Sequence, residues 1–336
     1  MPTIYDVAAE AGVSIATVSR VLRGYKNVSD DARARVLAAA DLLEYRPDPI
    51  ARALAGGGLN AIGLVFPENI THPFCPSLAQ QAARRAADNG YDLVLQLPVA
   101  RGTDALVEAV LHLERQRIDG LLLCAEAGAV GACAAAQGPS SPPLVAVGCL
   151  PVVRTPLVTI DEEGGAYTAT RHLLGMGHTR VAFLSMWAPD IRPAGREHGY
   201  ARAMTEAGLE PLLVPGDLGF EDGRRGAQEA KASHPDVTGL VAFNDAVALG
   251  ALRGLAEIGL RAPDDVSVVG FDNVALSRYS VPSLTTVDVP VAQVAERAVS
   301  LLLALVADSE RSGMQRVLLP PGLIARESTG PAPSRA

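Results

Sequence analysis

The sequence predicts a small all-α helix-turn-helix head followed by an α/β domain of two lobes, each built on a doubly wound parallel sheet. Two patterns lead to this fold class. The first 45 residues contain three short helical segments, with a glycine between the first two. From residue 61 onward, short apolar runs alternate with amphipathic helical segments, which is typical of parallel strands covered by helices. The alternation occurs before and again after about residue 160, so we expect two similar lobes.

A helix-turn-helix pattern spans residues 3–23, TIYDVAAEAGVSIATVSRVLR. Ala8 is small enough to let two helices approach, Gly12 can take the positive φ that the turn needs, and Val18 fills the angle between the helices. Ser14 is the expected N-cap of the second helix. The spacing of these residues, rather than any one of them, predicts the motif.

The second helix of this motif is predicted to be amphipathic. Its buried face carries Val18, Val21 and Leu22. The other face carries Ile15, Ala16, Ser19, Arg20 and Arg23. This second face is the one that would enter the major groove of DNA. An ordinary helical hairpin is the alternative, but it does not explain why Ile15 and Ala16 begin a helix whose buried stripe is already complete.

A third helix and a hinge are predicted next. The third helix spans residues 30–44, and its buried side is expected to carry Val36, Leu37, Ala40 and Leu43. The hinge spans residues 46–58, where Pro47 and Pro49 break the chain, residues 50–55 have the length of one or two helical turns, and three glycines follow. Because so short a helix is marginal in water, we expect it to order only when DNA and a partner chain support it.

Charge limits how the head can bind a polyanion. The chain has 29 Lys and Arg against 37 Asp and Glu, which gives a net charge of −8 at pH 7. Residues 1–58 carry seven charges of each sign, so the rest of the chain carries the whole excess. Phosphate contacts would then rely on backbone amides, a few arginines and the hydroxyls of Thr17, Ser19 and Ser29. Dimerisation would supply the affinity that one neutral head lacks.

The composition gives little support to other classes of protein. Neither a secretory signal nor an apolar stretch of membrane-spanning length is found, so we expect a cytoplasmic protein without a membrane partner. The four cysteines form no CxxC pair, and His172 and His178 are six positions apart, so neither a metal nor a cofactor is expected. The sequence lacks P-loop, GxSxG and HExxH motifs, so no enzymatic activity is expected.

Nine apolar runs predict the strands of the two lobes. They are residues 61–66, 91–97, 119–123, 143–147, 157–160, 180–185, 211–214, 239–243 and 266–271. The predicted domains are a head (1–45), the hinge (46–58), an N-terminal lobe (59–160 with 289–319), a C-terminal lobe (161–288 with 320–330) and a disordered tail (331–336). Ligands of such folds bind beyond the carboxyl ends of the strands, which here is the cleft between the lobes.

Five segments together resemble the lactose-repressor family of bacterial transcription regulators: IYDVAAEAGVS, AGREHGY, FNDAVALGAL, PDDVSVVGFDN and PSLTTV. The resemblance covers essentially the whole chain. It implies a homodimer, or a dimer of dimers, whose heads bind a palindromic operator in double-stranded DNA. It also implies a small effector that changes the angle between the lobes. A solute-binding protein with the same two lobes is the alternative, but it would need export and would leave the first 58 residues without a role.

The resemblance implies which residues contact DNA. Leu54 of the hinge would insert into the minor groove, Ile15 and Ala16 would select among operators, and Arg20 would reach base edges. The alternative for Arg20 is a phosphate contact or a surface ion pair. The alternative for Leu54 is packing against the lobe. The full expected DNA-contacting set is Thr3, Tyr5, Ser14, Ile15, Ala16, Thr17, Ser19, Arg20, Arg23, Asn27 and Leu54.

The resemblance likewise implies an effector site at the strand ends. The expected residues are Phe74, Asp161, Trp187, Arg192, Arg196, Phe220, Asn244 and Asp272. An arginine beside an aspartate suits vicinal hydroxyls, because the guanidinium donates hydrogen bonds while the carboxylate accepts others, so a sugar or sugar-like effector is expected. Asp161, with Glu162 and Glu163, has the alternative of forming an acidic first helical turn.

Three positions depart from the family pattern and alter the pocket. Leu218 stands where relatives often place an aromatic ring, Gly148 replaces a common acidic residue, and Asp190 sits where some relatives carry an arginine. Trp187 or Phe220 would supply the missing ring, although a lone tryptophan after a strand more often packs in the core.

Overall fold

The computed structural model describes residues 2–22, 28–45, 59–67, 74–148, 155–186, 195–308 and 315–333. The chain divides into two compact units, Met1–Leu59 and Asn60–Ala336. Within the described ranges, no helix has both the length and the apolar character that crossing a bilayer requires.

The first unit contains three helices, α1 (Ile4–Ala11), α2 (Ile15–Leu22) and α3 (Asp30–Leu42). Gly12 ends α1 in the left-handed conformation, at φ 61°, as the turn of a helix-turn-helix requires. Val7, Val18 and Val36, one from each helix, are fully buried and form the centre of the core. The predicted all-α head is therefore confirmed.

The buried side of α3 differs from the sequence prediction. Leu37, predicted to lie in the core, is 50% exposed, whereas Ala32 and Ala39, which were not predicted, are buried. Val36 and Ala39 are three positions apart and share one face of the helix, whereas a residue directly after Val36 is turned about 100° away from it.

The N-terminal lobe is built on a parallel sheet of six strands in the order β11-β5-β4-β3-β1-β2. The strands are β1 (Ala61–Val65), β2 (Asp92–Gln96), β3 (Gly120–Cys124), β4 (Leu144–Val147), β5 (Leu157–Ile160) and β11 (Arg316–Leu319). The helices are α4 (Phe74–Asp88), α5 (Thr103–Arg115), α6 (Ala127–Ala136) and α11 (Val291–Ala307). Because helices cover the sheet, its central strands β1 and β4 are buried along their whole length and read as continuous apolar runs.

The C-terminal lobe is built on a second six-stranded sheet, in the order β12-β10-β9-β8-β6-β7. Its strands are β6 (Val181–Met186), β7 (Leu212–Gly216), β8 (Gly239–Ala242), β9 (Ser267–Asp272), β10 (Thr285–Asp288) and β12 (Gly322–Ile324). The helices are α7 (Glu162–Gly175), α8 (Arg196–Glu206), α9 (Phe220–Ser233) and α10 (Asp245–Glu257). All pairings are parallel except that of β12 with β10.

The chain passes between the two sheets three times, after β5, β10 and β11. All nine predicted strands are present, so the predicted two-lobed α/β class is confirmed. The short strands β10, β11 and β12 are not among the predicted nine. The predicted disordered tail is wrong for residues 331–333, because the N–H of Ala332 donates to the carbonyl oxygen of Met176; residues 334–336 lie outside the described ranges.

Candidate functional site

Side-chain caps fix the helices of the head. The Thr3 hydroxyl accepts from the Asp6 N–H, and the Asp6 carboxylate accepts from the Thr3 N–H at 2.7 Å, which forms a capping box on α1. The Ser14 hydroxyl accepts from the Thr17 N–H at 3.2 Å, as predicted for the cap of α2. These three predicted DNA-contacting residues, Thr3, Ser14 and Thr17, therefore also hold the helices in place.

The outward face of α2 carries the predicted reading residues. Ala16 and Arg20 are exposed, Ile15 is 41% exposed, and Ser19 is partly buried, while Val18 on the opposite face is fully buried. Tyr5 of α1 is also exposed. Arg20 takes part in no ion pair with another described residue. Three members of the predicted set, Arg23, Asn27 and Leu54, lie outside the described residues, as does the hinge at 46–58.

The second candidate site lies at the carboxyl edge of the C-terminal sheet and is centred on Arg196, the first residue of α8. Helix α8 packs closely on α7, because a Cβ atom at Gly199 would overlap the carbonyl oxygen of Glu163. This approach brings Glu162 of α7 to Arg196. The Glu162 Oε1 atom accepts from Nε at 3.0 Å and from Nη2 at 2.8 Å.

Arg196 is almost fully buried among rings and acceptors. The centre of its guanidinium lies 3.8 Å from the ring centroid of Phe271 and 4.7 Å from that of Phe243. Its Nη1 donates to the Phe243 carbonyl oxygen at 2.6 Å, and its Nη2 lies 3.7 Å from Asp272 Oδ1. The arrangement fixes the orientation of a planar hydrogen-bond donor at the ends of β8 and β9.

Asp272 ends β9 in an unusual backbone conformation, at φ 113°. A non-glycine residue in this region stores backbone strain, which is often found at binding sites. Burial raises the pKa of its carboxyl, the Arg196 charge opposes that rise, and Asp245 and Glu162 add to it. Asp272 also raises the pKa of the Cys75 thiol, whose shift is mainly due to burial, so the start of α4 in the N-terminal lobe lies within electrostatic reach of Asp272.

Asp245 is the neighbouring buried carboxyl. Its Oδ1 accepts from the Thr286 hydroxyl at 2.5 Å, and its Oδ2 accepts from the Val274 N–H at 2.8 Å. Burial raises its pKa to about 7, against the lowering effect of these hydrogen bonds. These bonds tie α10 to the ends of β9 and β10, so Asp245 positions the segment that carries Asp272.

Two predicted effector residues have structural partners. Asn244 is fully buried; its Oδ1 caps α10 by accepting from the Val247 N–H at 2.8 Å, and its Nδ2 donates to the Leu218 carbonyl oxygen at 3.2 Å. Asp161 caps α7 by accepting from the Gly164 N–H at 2.9 Å, which fits the alternative of an acidic first turn. Both residues lie at strand ends, as the sequence predicts.

The aromatic residues predicted for the effector site differ in their surroundings. Phe74 begins α4 and packs against the core clusters of both lobes, whereas Phe220 begins α9 and is half exposed. Trp187 and Arg192 lie outside the described residues.

On the N-terminal lobe, a cavity of about 220 Å³ lies at the carboxyl ends of β1, β2 and β3, and Glu126 is the charged residue of its lining. Sequence reasoning missed Glu162 as part of the site, although the glycines at 195 and 199 signalled close helix approach.

This geometry defines a class: a head with an exposed reading helix joined to a two-lobed domain with convergent polar groups at one sheet edge. Residues 3–48 match the bacterial regulatory proteins of the lacI family, and residues 170–329 match the periplasmic binding protein-like domain. The transcriptional regulator DegA of Bacillus subtilis is 32% identical over 338 residues, which cover 98% of each chain. The chain therefore belongs to the lacI family of bacterial regulatory proteins, and the resemblance seen in the sequence is confirmed.

Solved structures agree with this assignment. The lac repressor dimer bound to operator and the anti-inducer ONPF matches with a TM-score of 0.84 and 29% identity, over 98% of this chain and 99% of that chain. The complex of the transcriptional regulator CelR with cellobiose matches with a TM-score of 0.72 and 30% identity, over 98% and 100%. The chain is a DNA-binding transcriptional regulator with the fold of the lac repressor.

Proposed function

We propose that the chain is a cytoplasmic repressor that binds a palindromic operator as a homodimer, and that a sugar bound between its lobes controls its affinity for DNA. The observation that carries the proposal is the outward face of α2, where Ile15, Ala16 and Arg20 are exposed on a helix anchored by buried valines. The protein acts by binding and without catalysis, in line with relatives that are transcriptional regulators.

The exposed face of α2 supports sequence-specific reading of DNA. Arg20 can pair with guanine O6 and N7, and Ile15 can contact a thymine methyl group in the major groove. Thr3, Tyr5, Ser14, Thr17 and Ser19 complete the proposed contact set among the described residues. Hydroxyls and helix N-termini of this kind bind phosphates without a large basic patch, which fits the zero net charge of residues 1–58.

Homodimerisation is supported by the need for two heads and by exposed apolar side chains on the lobes. Val99 after β2, and Tyr279 and Val281 before β10, are each more than four-fifths exposed. A dimer interface that covered these side chains would remove their apolar surface from water. The lac repressor that matches this chain binds its operator as a dimer.

The effector site is proposed at the carboxyl edge of the C-terminal sheet, at Arg196, Asn244 and Asp272, with Phe74 packed against the core of the same lobe. Strand membership supports lobe boundaries at 59–160 with 289–319 and at 161–288 with 320–330. Donor and acceptor side by side suit a sugar, and CelR was solved with cellobiose.

Selection from random DNA duplexes, followed by fluorescence anisotropy, tests the proposal and identifies the operator sequence in the same experiment. We expect the selected sequences to share two inverted half-sites, and a neutral sugar from a panel to change the Kd for the selected duplex. Alanine at Arg20 in the same assay is the control for specific reading. Failure to enrich any sequence, or enrichment of one asymmetric half-site only, would contradict a dimeric operator-binding protein.

A further inference from the structure

The arginine at the centre of the proposed effector site is already paired with a carboxylate. Glu162 and Arg196 come from different helices, their side chains are 12% and 10% exposed, and both Nε and Nη2 of Arg196 donate to Glu162 Oε1. Such a pair cancels the charge of the guanidinium while it keeps the orientation of the group. A ligand that enters the proposed site would therefore contact an ion pair and not a free guanidinium group.

Local sequence builds this pair. Gly195 precedes α8 at φ 75°, and a Cβ atom there would lie 2.9 Å from Glu162 Oε2. Gly199, one turn later, lets the backbones of α7 and α8 approach until a Cβ atom would overlap the Glu163 carbonyl oxygen. The two glycines thus leave space for the Glu162 side chain next to the start of α8, where Arg196 lies. A larger residue at either position would separate the two charges.

The ionisable groups next to Arg196 are mainly carboxyls. Besides Glu162, the Oδ1 atom of Asp272 lies 3.7 Å from Arg196 Nη2, and the charge of Asp245 adds to the rise in the pKa of Asp272. Across the cleft, the cavity at the ends of β1 to β3 is lined by apolar residues, Thr103 and Glu126, and its lining includes no basic side chain. Within the described residues, Arg196 is the cation of the site and Glu162 already neutralises its charge; Arg192 of the predicted set lies outside them.

Arg326 is a second cation, close enough to Asp245 for its charge to lower the pKa of that carboxyl. Its Nη1 donates to the Leu284 carbonyl oxygen at 2.6 Å and to the Ser277 hydroxyl at 3.0 Å, and its Nη2 donates to Asn273 Oδ1 at 2.7 Å. These neutral acceptors hold Arg326 between β9, β10 and the chain after β12. It is therefore a structural cation.

We propose, on the basis of the effector site proposed above, that this site takes an uncharged polyhydroxylated ligand and rejects phosphorylated or carboxylated ones, and that Glu162 sets this preference. A hydroxyl can accept from Arg196 and donate to a neighbouring carboxylate at the same time, so it fits the pair without breaking it. A phosphate or carboxylate group only accepts, so it must displace Glu162 and then lie beside unpaired negative charge.

Sulfate is the probe, because it carries the charge of a phosphate ester without the sugar. The test compares the full-length wild-type protein with the variant Glu162→Gln. The matched control is Glu163→Gln, because the Glu163 side chain forms an ion pair with Arg202 between the same two helices, in a more exposed position. Thermal unfolding is measured as sulfate replaces chloride at constant ionic strength, so that general salt effects are shared by all variants.

We expect Glu162→Gln to bind sulfate at least about tenfold more tightly than the wild type, because one unit charge a few ångströms away is worth more than that factor in a buried site. Glu163→Gln should match the wild type, and adding Arg196→Gln to Glu162→Gln should remove the gain. Equal sulfate affinity for the wild type, Glu162→Gln and Glu163→Gln would show that Glu162 does not set the preference for uncharged ligands.

A second measurement uses only the wild type and holds even if Glu162→Gln does not fold. Each sugar that changes operator affinity is compared with its phosphate ester, for example glucose with glucose 6-phosphate, by the shift in melting temperature. The uncharged member should bind at least about tenfold more tightly. Preference for the ester overturns this inference and leaves the proposed repressor intact, whereas loss of all operator binding contradicts the proposed function and leaves the sulfate result standing.

Discussion

Replacing Tyr200 with phenylalanine tests how far the C-terminal lobe depends on one buried hydroxyl. Tyr200 of α8 is fully buried, and burial raises its pKa to about 12. Its hydroxyl donates to the Val181 carbonyl oxygen at 2.8 Å and accepts from the Leu212 N–H at 2.7 Å. The hydroxyl thus joins α8 to the starts of β6 and β7.

The expected cost follows from what the substitution removes. The ring stays, and its packing on Phe183, with centroids 5.2 Å apart, is kept, so little cavity is created. One hydrogen bond to Val181 is lost, at about 1 kcal/mol, and the N–H of Leu212 loses its acceptor, at about 1–3 kcal/mol. Together the free energy of unfolding should fall by about 2–4 kcal/mol.

Urea unfolding followed by circular dichroism measures this change, and the dependence on urea should be unaltered. The matched control is Tyr167→Phe, because the Tyr167 hydroxyl donates to Glu206 on the surface of the same helix pair. That variant should stay within about 0.5 kcal/mol of the wild type. If Tyr200→Phe is no less stable than the control, the buried hydroxyl does not join these elements.

Three further predictions concern the two sites and the pH dependence of folding. Arg20→Ala should cost about 1–3 kcal/mol on the selected operator and much less on random DNA, by anisotropy; equal losses would indicate a phosphate contact. Asp272→Asn should abolish the effect of sugar on operator affinity while ligand-free affinity is kept, and a normal sugar response would refute its role. Burial lowers the pKa of His178, so the folded state favours neutral imidazole and stability falls as the pH drops below about 6.5. Melting curves of His178→Gln should show a smaller loss, because burial also lowers the pKa of His172 and that residue keeps its share; parallel curves would contradict the prediction.

Much of the fold could be predicted because its signals are local. The positive φ of Gly12 and the cap at Ser14 depend on neighbours within one turn of the chain, and the apolar spacing of α2 marks Val18 as buried; all three are found as expected. The long apolar strands are likewise visible in the sequence. In contrast, β10 begins with Thr285 and Thr286, polar residues that are buried only because their hydroxyls find partners distant in sequence.

The effector site was harder to predict because its roles depend on tertiary partners. The sequence identifies Asn244 and Asp161 as polar residues at strand ends, but their caps on the following helices appear only in the structure. The sequence leaves Glu162 open between an acidic first turn and a ligand role, and its pairing with Arg196 is not visible there because the pair requires α8 to pack on α7. The glycines at 195 and 199 were the available signal of that packing.

The same connections indicate how a ligand in the C-terminal lobe would act on the head. The chain runs from the hinge into the N-terminal lobe at β1, so this lobe is the one that is joined to the hinge along the chain. Phe74, at the start of α4, packs against both cores, and its neighbour Cys75 is within electrostatic reach of Asp272. We therefore expect a sugar bound at Asp272 to affect the start of α4, which contacts the cores of both lobes. A ligand shifts an equilibrium only by the difference between its affinities for the two states. We therefore expect Phe74→Ala to reduce the effect of sugar on operator affinity more than it reduces the affinity for sugar itself. Titrating sugar with and without operator measures both quantities.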